Sequence, residues 1–223
     1  MSTYILYHVP LDMGSRYARL ILSEKGVNFT LRLEKYWEKR NAFLFLNPAG
    51  GVPVLTKEET SICGAGVIGE YLEDILPTAK IYGSSPDERA ETRRLLDWFF
   101  TRFKNEVMRC IVDEYFIKRI LGKGPPDPLV LRLGRSNLRV HLTYMEHLIT
   151  KRVCLNTSSP TAADFAAAAA ISCLDYLGQV PWAEFPCTRD WYARVKSRPS
   201  FKGILLDNIP SIVPSKEYAN LDF

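Results

Sequence analysis

The chain has 223 residues, of which 47% are hydrophobic and 24% are charged. This composition excludes intrinsic disorder, which needs low hydrophobicity and a high net charge, and the length suits one large domain or two small ones. The formal net charge of +4 arises from 29 basic and 25 acidic residues, so the charges are too balanced to predict nucleic-acid binding.

The N-terminal residues lack the basic flank and long apolar region of a secretory signal peptide. No apolar run approaches the ~20 residues that a membrane-spanning helix needs. The five cysteines are an odd number without CxxC or Cys/His spacing, which indicates neither a disulfide framework nor a metal site. We therefore expect a cytoplasmic protein with no membrane span, no metal and reduced cysteines.

Residues 1–77 predict a small α/β unit with the element order β-α-β-α-β-β-α. Aromatic and β-branched residues at 4–8 and alternating residues at 29–33 predict the first two strands. Between them, Ser15 is the expected N-cap of a helix that ends at Gly26. A short helix, two more strands and a third helix are predicted at residues 43–46, 52–55, 61–63 and 67–76.

Residues 78–88 combine proline, glycine and serine between two helical patterns, which is typical of a linker. Residues 89–205 then predict an all-helical domain. Its first long helix has apolar residues at spacings of three and four, at Leu96, Phe99, Phe103, Val107 and Cys110. A second set of apolar residues at helical spacing predicts another long helix, antiparallel to the first. Its expected buried side consists of Leu129, Leu133, Val140, Tyr144 and Leu148.

A helix of unusual composition follows Thr161. Thr161 and Asp164 have the spacing of a capping box, and five consecutive alanines come after Phe165. Because alanine covers every face, we expect this helix to be packed on all sides at the centre of the second domain. A last helix is expected from Trp191, and residues 206–223 form a proline-rich tail.

Five segments, in this order and spacing, resemble the cytosolic glutathione transferase superfamily from the first strand to about residue 203. They are Ala18-Arg19 with Glu24-Lys25-Gly26, Asn47-Pro48 with Gly50 and Val52-Pro53-Val54-Leu55, Glu70-Tyr71-Leu72, Thr161 with Asp164-Phe165, and Trp191 with Arg194-Val195 and Arg198-Pro199-Ser200-Phe201. The resemblance implies a two-domain α+β fold, with a thioredoxin-like first domain, an all-helical second domain and usually a homodimer. It also implies a cis peptide bond before Pro53 and a glutathione backbone site at Val52 and Pro53.

The chemistry of a glutathione transferase is incomplete in this sequence. Where the family has polar side chains for the γ-glutamyl group, this chain has Gly64 and Ala65, which offer none. Each lost contact costs ~1.5–3 kcal/mol of affinity. For the glutathione thiolate, the aligned positions are His8, Asp12 and Ser15, of which only Ser15 can donate a hydroxyl hydrogen bond. Ser15 is thus the catalytic candidate if the protein is an enzyme, with helix capping as its alternative role; no cofactor is expected, and glutathione is a candidate substrate or ligand.

One branch of the superfamily is more similar: the GST-like division proteins of alphaproteobacteria, which bind filaments of the tubulin-like protein FtsZ. The similar segments are residues 34–50, 98–107 and 209–223. The resemblance implies partner binding by Trp37, Glu114, Asp222 and Phe223. Trp37 lies in a charged loop with the composition of an interface hot spot, or else packs on its own domain. Basic residues of the first long helix form either a solvated face or a filament contact: Arg93, Arg94, Arg102, Arg109, Lys118 and Arg119.

The leading hypothesis is a non-catalytic homodimer that regulates cell division by binding FtsZ filaments at the division site. Two binding sites per dimer would bundle or bend filaments by avidity. The alternative hypothesis is a glutathione S-transferase that uses Ser15 to conjugate glutathione to small electrophiles. A third hypothesis, a GST-fold carrier or chaperone-like protein, predicts small-molecule affinity without turnover.

Overall fold

The first domain is organised around a mixed four-stranded sheet. The computed structural model describes residues 4–76, 80–210 and 212–221. The strands are β1 (Tyr4–His8), β2 (Phe29–Leu33), β3 (Val54–Lys57) and β4 (Thr60–Cys63). Their order in the sheet is β2-β1-β3-β4, with β1 parallel to β2 and antiparallel to β3, and β3 antiparallel to β4. The predicted thioredoxin-like unit is confirmed.

Three helices complete the described part of this domain: α1 (Met13–Glu24), α2 (Asn41–Leu46) and α3 (Ala65–Ile75). The prediction that Ser15 caps α1 is wrong, because the cap is Asp12, whose carboxylate accepts the Ser15 amide hydrogen at 2.6 Å. An N-cap must have extended backbone just outside the helix, and Ser15 is already the third helical residue. Gly26 follows α1 with φ +65°, as expected for a helix stop, and the peptide bond before Pro53 is cis.

The second domain begins with one long helix, α4, over residues 86–120. It alternates α-helical and π-helical segments: Pro86–Asp97, Trp98–Met108, Arg109–Val112, Asp113–Ile117 and Lys118–Ile120. The helix begins before the predicted end of the linker at residue 88, because Ser85 caps it and proline is well tolerated in the first turn. The predicted apolar face is buried at Leu96, Phe99, Phe103 and Val107.

The next long helix, α5 (Pro128–Lys151), turns a different side to the core than the sequence pattern predicted. Of the residues predicted to be buried, Leu129, Leu133 and Val140 are exposed and Leu148 is buried. The buried face consists of Leu131, Gly134, Leu138, His141, Leu142, Met145, Leu148 and Ile149. Gly134 gives the physical reason. A β-carbon there would lie 2.7 Å from the Cys110 Cβ, so α4 and α5 approach closely on the side that carries this glycine.

The alanine-rich helix α6 (Ala162–Tyr176) is buried along its whole length, which confirms its expected place at the centre of the domain. The capping box of Thr161 and Asp164 is also present. The last helices are α7 (Pro186–Lys196), which begins five residues before Trp191, and the short α8 (Lys202–Leu205). None of the helices in the described part of the chain is both long and apolar enough to cross a bilayer.

The proline-rich tail folds back onto the second domain. Tyr218 is 1% exposed, and its hydroxyl donates a hydrogen bond to the Ile204 carbonyl at 2.9 Å. The Tyr176 hydroxyl donates to the carbonyl of Ile212 at 3.0 Å, and the Lys196 ammonium donates to the carbonyl of Glu217 at 2.9 Å. The described part of the tail is therefore packed on the second domain as part of the folded structure.

A buried charge cluster joins the tail to the first domain. Asp207 accepts hydrogen bonds from Arg19 at 2.8 Å and from the fully buried Arg16 at 3.5 Å. Arg16 also donates to the Pro10 carbonyl at 2.6 Å and to the Ser172 hydroxyl at 2.9 Å. This cluster therefore connects β1 and α1 with α6 and the tail.

Candidate functional site

A cleft of about 570 Å³ lies between the two domains. One wall comes from the first domain: the start of α1, the turn at Val52 and Pro53, and the start of α3 at Gly64 and Ala65. The other wall is α4, with Leu96 and Phe100 as apolar contributors. The structure thus brings together the four residues that the resemblance assigned to glutathione.

The cleft offers little to a γ-glutamyl group. Gly64 caps α3 without any side-chain hydrogen bond, and Ala65 has only a methyl group. Glu70 and Arg93, at the cleft edge, bind each other with two hydrogen bonds of 2.7 and 3.0 Å. These two charges therefore compensate each other.

The hydroxyl candidate Ser15 does not line this cleft. Ser15 is completely buried, and its Oγ accepts a hydrogen bond from the Val9 amide at 3.2 Å. Asp12, whose pKa is raised by burial, is occupied as the helix cap. Cys63 is half-buried, its Sγ donates to the Leu46 carbonyl at 3.3 Å, and burial raises the pKa of the thiol. None of these three side chains is therefore free to act as a thiolate partner in the cleft.

His8 predicts acid sensitivity of the fold. The ring is 6% exposed, its Nδ1 has no hydrogen-bond partner among the described residues, and burial, helped by the Arg19 charge, lowers its pKa to about 4. An unfolded histidine has a pKa of about 6.5, so between these values the unfolded state binds more protons and stability falls as the pH falls. From about pH 7.5 to about pH 5, this group removes about 2 kcal/mol from the free energy of unfolding.

We expect His8→Leu to abolish that part of the pH dependence. Urea unfolding of both proteins at several pH values measures it: the stability of the variant relative to the parent should rise by about 2 kcal/mol on acidification. Parallel stability curves for the two proteins would contradict the prediction.

A second cavity, of about 550 Å³, lies where two of the segments that resemble the division proteins, residues 34–50 and the tail, meet the end of α4; the third such segment, residues 98–107, does not line it. We call it the tryptophan groove. The 34–50 segment supplies Trp37, the end of α4 supplies Phe116 and Arg119, and the tail supplies Ile209 and Ile212. The remaining lining residues are Val9, Pro10, Leu33, Lys35, Glu38, Ile120 and Pro210. Segments remote in sequence therefore form one predominantly apolar surface.

Trp37 lies in the short 3-10 turn Tyr36–Glu38 and is half-buried. Its ring packs edge-on against that of Tyr36, with centroids 5.2 Å apart. Lys39, which ends the turn, has a left-handed backbone conformation with φ +48°. Trp37 thus packs partly on its own domain and also contributes to the groove wall.

The other partner-binding candidates lie elsewhere. The Glu114 carboxylate accepts hydrogen bonds from the Lys118 ammonium at 2.9 Å and from the Asp127 amide at 2.6 Å, which lowers the pKa of Glu114. Glu114 thereby fastens the loop before α5 to α4, and it does not line the tryptophan groove. Asp222 and Phe223 lie outside the described residues.

Sequence reasoning missed several groove residues. Sequence patterns place Leu33 only in a strand and Arg119 only in a set of basic residues, and they do not distinguish Phe116 or Ile120 from other apolar residues of the helix. The apolar side chains of Leu33 and Ile120 are exposed in the structure, and this exposure would have marked them as candidates. It depends on the packing of three separate segments, so the sequence does not show it.

Comparisons with known proteins agree with this architecture. Residues 6–80 match the family model described as "Glutathione S-transferase, N-terminal domain". The chain is 44% identical to "FtsZ-localized protein A" of Caulobacter vibrioides, over 98% of this chain and 97% of that protein. The structure of "FzlA from C. crescentus" superposes with a TM-score of 0.96 at 44% identity, covering 99% of this chain and 100% of the other.

A structure described as a glutathione S-transferase from Sinorhizobium meliloti 1021 is also similar. It has a TM-score of 0.95 and 41% identity, and each chain is covered in full. Identity at this level over the whole chain shows common family membership, whereas the family model alone covers only the first domain. The chain therefore belongs to the family of FtsZ-localized protein A, which is built on the glutathione S-transferase fold.

Proposed function

We propose that this protein is a non-catalytic homodimer that binds FtsZ filaments at the division site, and that the tryptophan groove is the binding surface. The observation that carries the proposal is the convergence of the Trp37 turn, the end of α4 and the tail on one apolar groove. The Trp37 turn and the tail belong to segments whose sequences resemble FtsZ-binding proteins, and the end of α4 completes the groove between them. The 44% identity to a protein named for its localisation with FtsZ supports the same partner.

The groove has the composition of a protein-binding surface. It combines the aromatic side chains of Trp37 and Phe116 with aliphatic ones and a charged rim, and aromatic residues at the centre of an interface commonly dominate binding energy. A dimer would carry two such grooves. Two moderate affinities then act together on a repetitive filament, which favours bundling or bending.

Truncating the tryptophan tests the proposal. We expect Trp37→Ala to weaken co-sedimentation with purified FtsZ filaments about 30-fold, because loss of a hot-spot side chain costs about 2 kcal/mol. The control is Val153→Ala, an exposed apolar residue outside the groove, which should bind like the parent. Thermal unfolding checks that both variants remain folded, and equal binding by Trp37→Ala and the parent would overturn the proposed surface.

Glutathione binding is the second candidate function, favoured by Val52 and the cis Pro53 in the cleft. The missing polar side chains at Gly64 and Ala65 and the buried Ser15 argue against it. Titration calorimetry with glutathione in the millimolar range, on the same preparation used for co-sedimentation, separates the two. Saturable glutathione binding without filament binding would reject the division hypothesis, and activity lost in Ser15→Ala would then support the transferase.

A further inference from the structure

We propose that the tryptophan groove recognises an extended, apolar segment of its partner that carries a carboxylate, and that Arg119 is the anchor for that carboxylate. This inference rests on the proposed function, because it specifies which chemistry on the filament subunit the groove accepts. Three independent features of the groove support it: an uncompensated cation, an apolar lining and an adjoining sheet edge.

The uncompensated cation is Arg119. Four of the six basic residues singled out on α4 form ion pairs, namely Arg93 with Glu70, Arg94 with Glu91, Arg102 with Glu106 and Lys118 with Glu114. The other two, Arg109 and Arg119, make neither an ion pair nor a side-chain hydrogen bond within the described ranges of the chain, and of these two only Arg119 lines the tryptophan groove.

The other charged groove residues, Lys35 and Glu38, pair with each other at 3.3 Å. Among the described lining residues, this leaves one positive charge without a partner. A guanidinium presents a planar set of donors that fits a carboxylate with two parallel hydrogen bonds, so the complementary group is an aspartate, a glutamate or a chain terminus.

The apolar lining defines the rest of the ligand. Leu33 and Ile120 expose apolar surface at the groove, whereas Val9, Phe116 and Ile209 are almost fully buried in its walls. A purely acidic ligand would leave this surface in contact with water. Apolar side chains next to the carboxylate would instead cover this apolar surface and remove it from water, which favours binding.

The adjoining sheet edge favours an extended conformation. β2 is an outer strand, paired only with β1 among the described strands. Leu31 and Leu33 are 45% and 55% exposed, two residues apart on the same side of β2, and Leu33 lines the groove. An extended segment can pair with such an edge and place alternate side chains toward the groove.

Charge reversal at the anchor tests the inference. We expect Arg119→Glu to weaken co-sedimentation with FtsZ filaments at least about 10-fold, since it replaces attraction by repulsion of a carboxylate. Arg119→Lys should retain intermediate binding, because it keeps the charge without the planar donors. Arg132→Glu, at an exposed arginine of α5 outside the groove, makes the same charge change and should bind like the parent.

A second variant tests the sheet edge. Leu33→Glu puts a negative charge at the end of β2, beside the expected carboxylate, and should weaken binding by a similar factor. Loss of binding in Trp37→Ala but not in Arg119→Glu or Leu33→Glu would overturn this inference and leave the proposed function intact. Failure of the parent protein to co-sediment would overturn both.

Light scattering on the same variants tests whether a second copy of this chain, and not the filament, occupies the groove. If Arg119→Glu converted the parent's dimer into a monomer, the groove would be covered by a second copy of this chain, and the inference would be wrong. An unchanged mass together with weakened filament binding is the expected result.

Discussion

Replacing Asp164 by alanine is expected to lower the free energy of unfolding by about 4 kcal/mol, the largest single effect that we predict. The buried carboxylate accepts hydrogen bonds from the amide of Leu155, the indole of Trp191, and the amide and hydroxyl of Thr161, each at 2.9 Å. Removing the acceptor leaves these donors buried without partners at the start of α6. Urea unfolding followed by circular dichroism measures the change.

Two further variants sharpen this test. Asp164→Asn keeps the size and one acceptor oxygen but turns an amide group toward donors, so it should also cost more than about 2 kcal/mol. Asp190→Ala removes an aspartate whose side chain is 64% exposed and should change stability by no more than about 0.5 kcal/mol. A stability of Asp164→Ala close to that of Asp190→Ala would show that the network contributes little.

Replacing Asp207 by alanine is expected to cost about 3 kcal/mol and to weaken filament binding as well. The change removes the carboxylate that pairs with Arg16 and Arg19, and breaking a buried ion pair leaves an uncompensated charge. Asp207 lies two residues before Ile209, which forms part of the groove wall. Loosening the tail at this point should therefore disturb the tryptophan groove.

The two effects of Asp207→Ala can be measured separately. Urea unfolding gives the stability, and co-sedimentation at a temperature where the variant is fully folded gives the binding. Asp207→Asn, which retains an acceptor for Arg19, should lose less of both. Unaltered filament binding by a destabilised Asp207→Ala would show that the ion pairs of Asp207 with Arg16 and Arg19 do not position the groove.

Much of the fold follows from local sequence patterns. The strand and helix order of the first domain, the break at Gly26 and the capping box at Thr161 are all encoded within a few residues of where they act. The five alanines after Phe165 likewise indicate a helix that is packed on every side. In such cases, backbone propensity, capping and periodicity point to the same structure.

Other features depended on how elements pack together. Helix α5 has apolar residues on two sides, and periodicity alone selected the side of Leu129, Leu133 and Val140, which is exposed. The close contact at Gly134 decides which side faces α4, and this contact involves another helix. The same reason explains Ser15, whose hydroxyl is occupied by the Val9 amide and not directed to the cleft.

The sequence by itself determined the fold class, the family resemblance and the absence of polar side chains at Gly64 and Ala65, since these depend on residue identity and local order. Only the tertiary structure decided that Trp37, Arg119 and Ile209 share one groove and that Arg119 has no counter-charge there among the residues that the structure describes. Residues separated by more than 80 positions come together through the packing of the two domains and the tail. Their proximity and the balance of their charges are properties of that packing, and no local pattern encodes them.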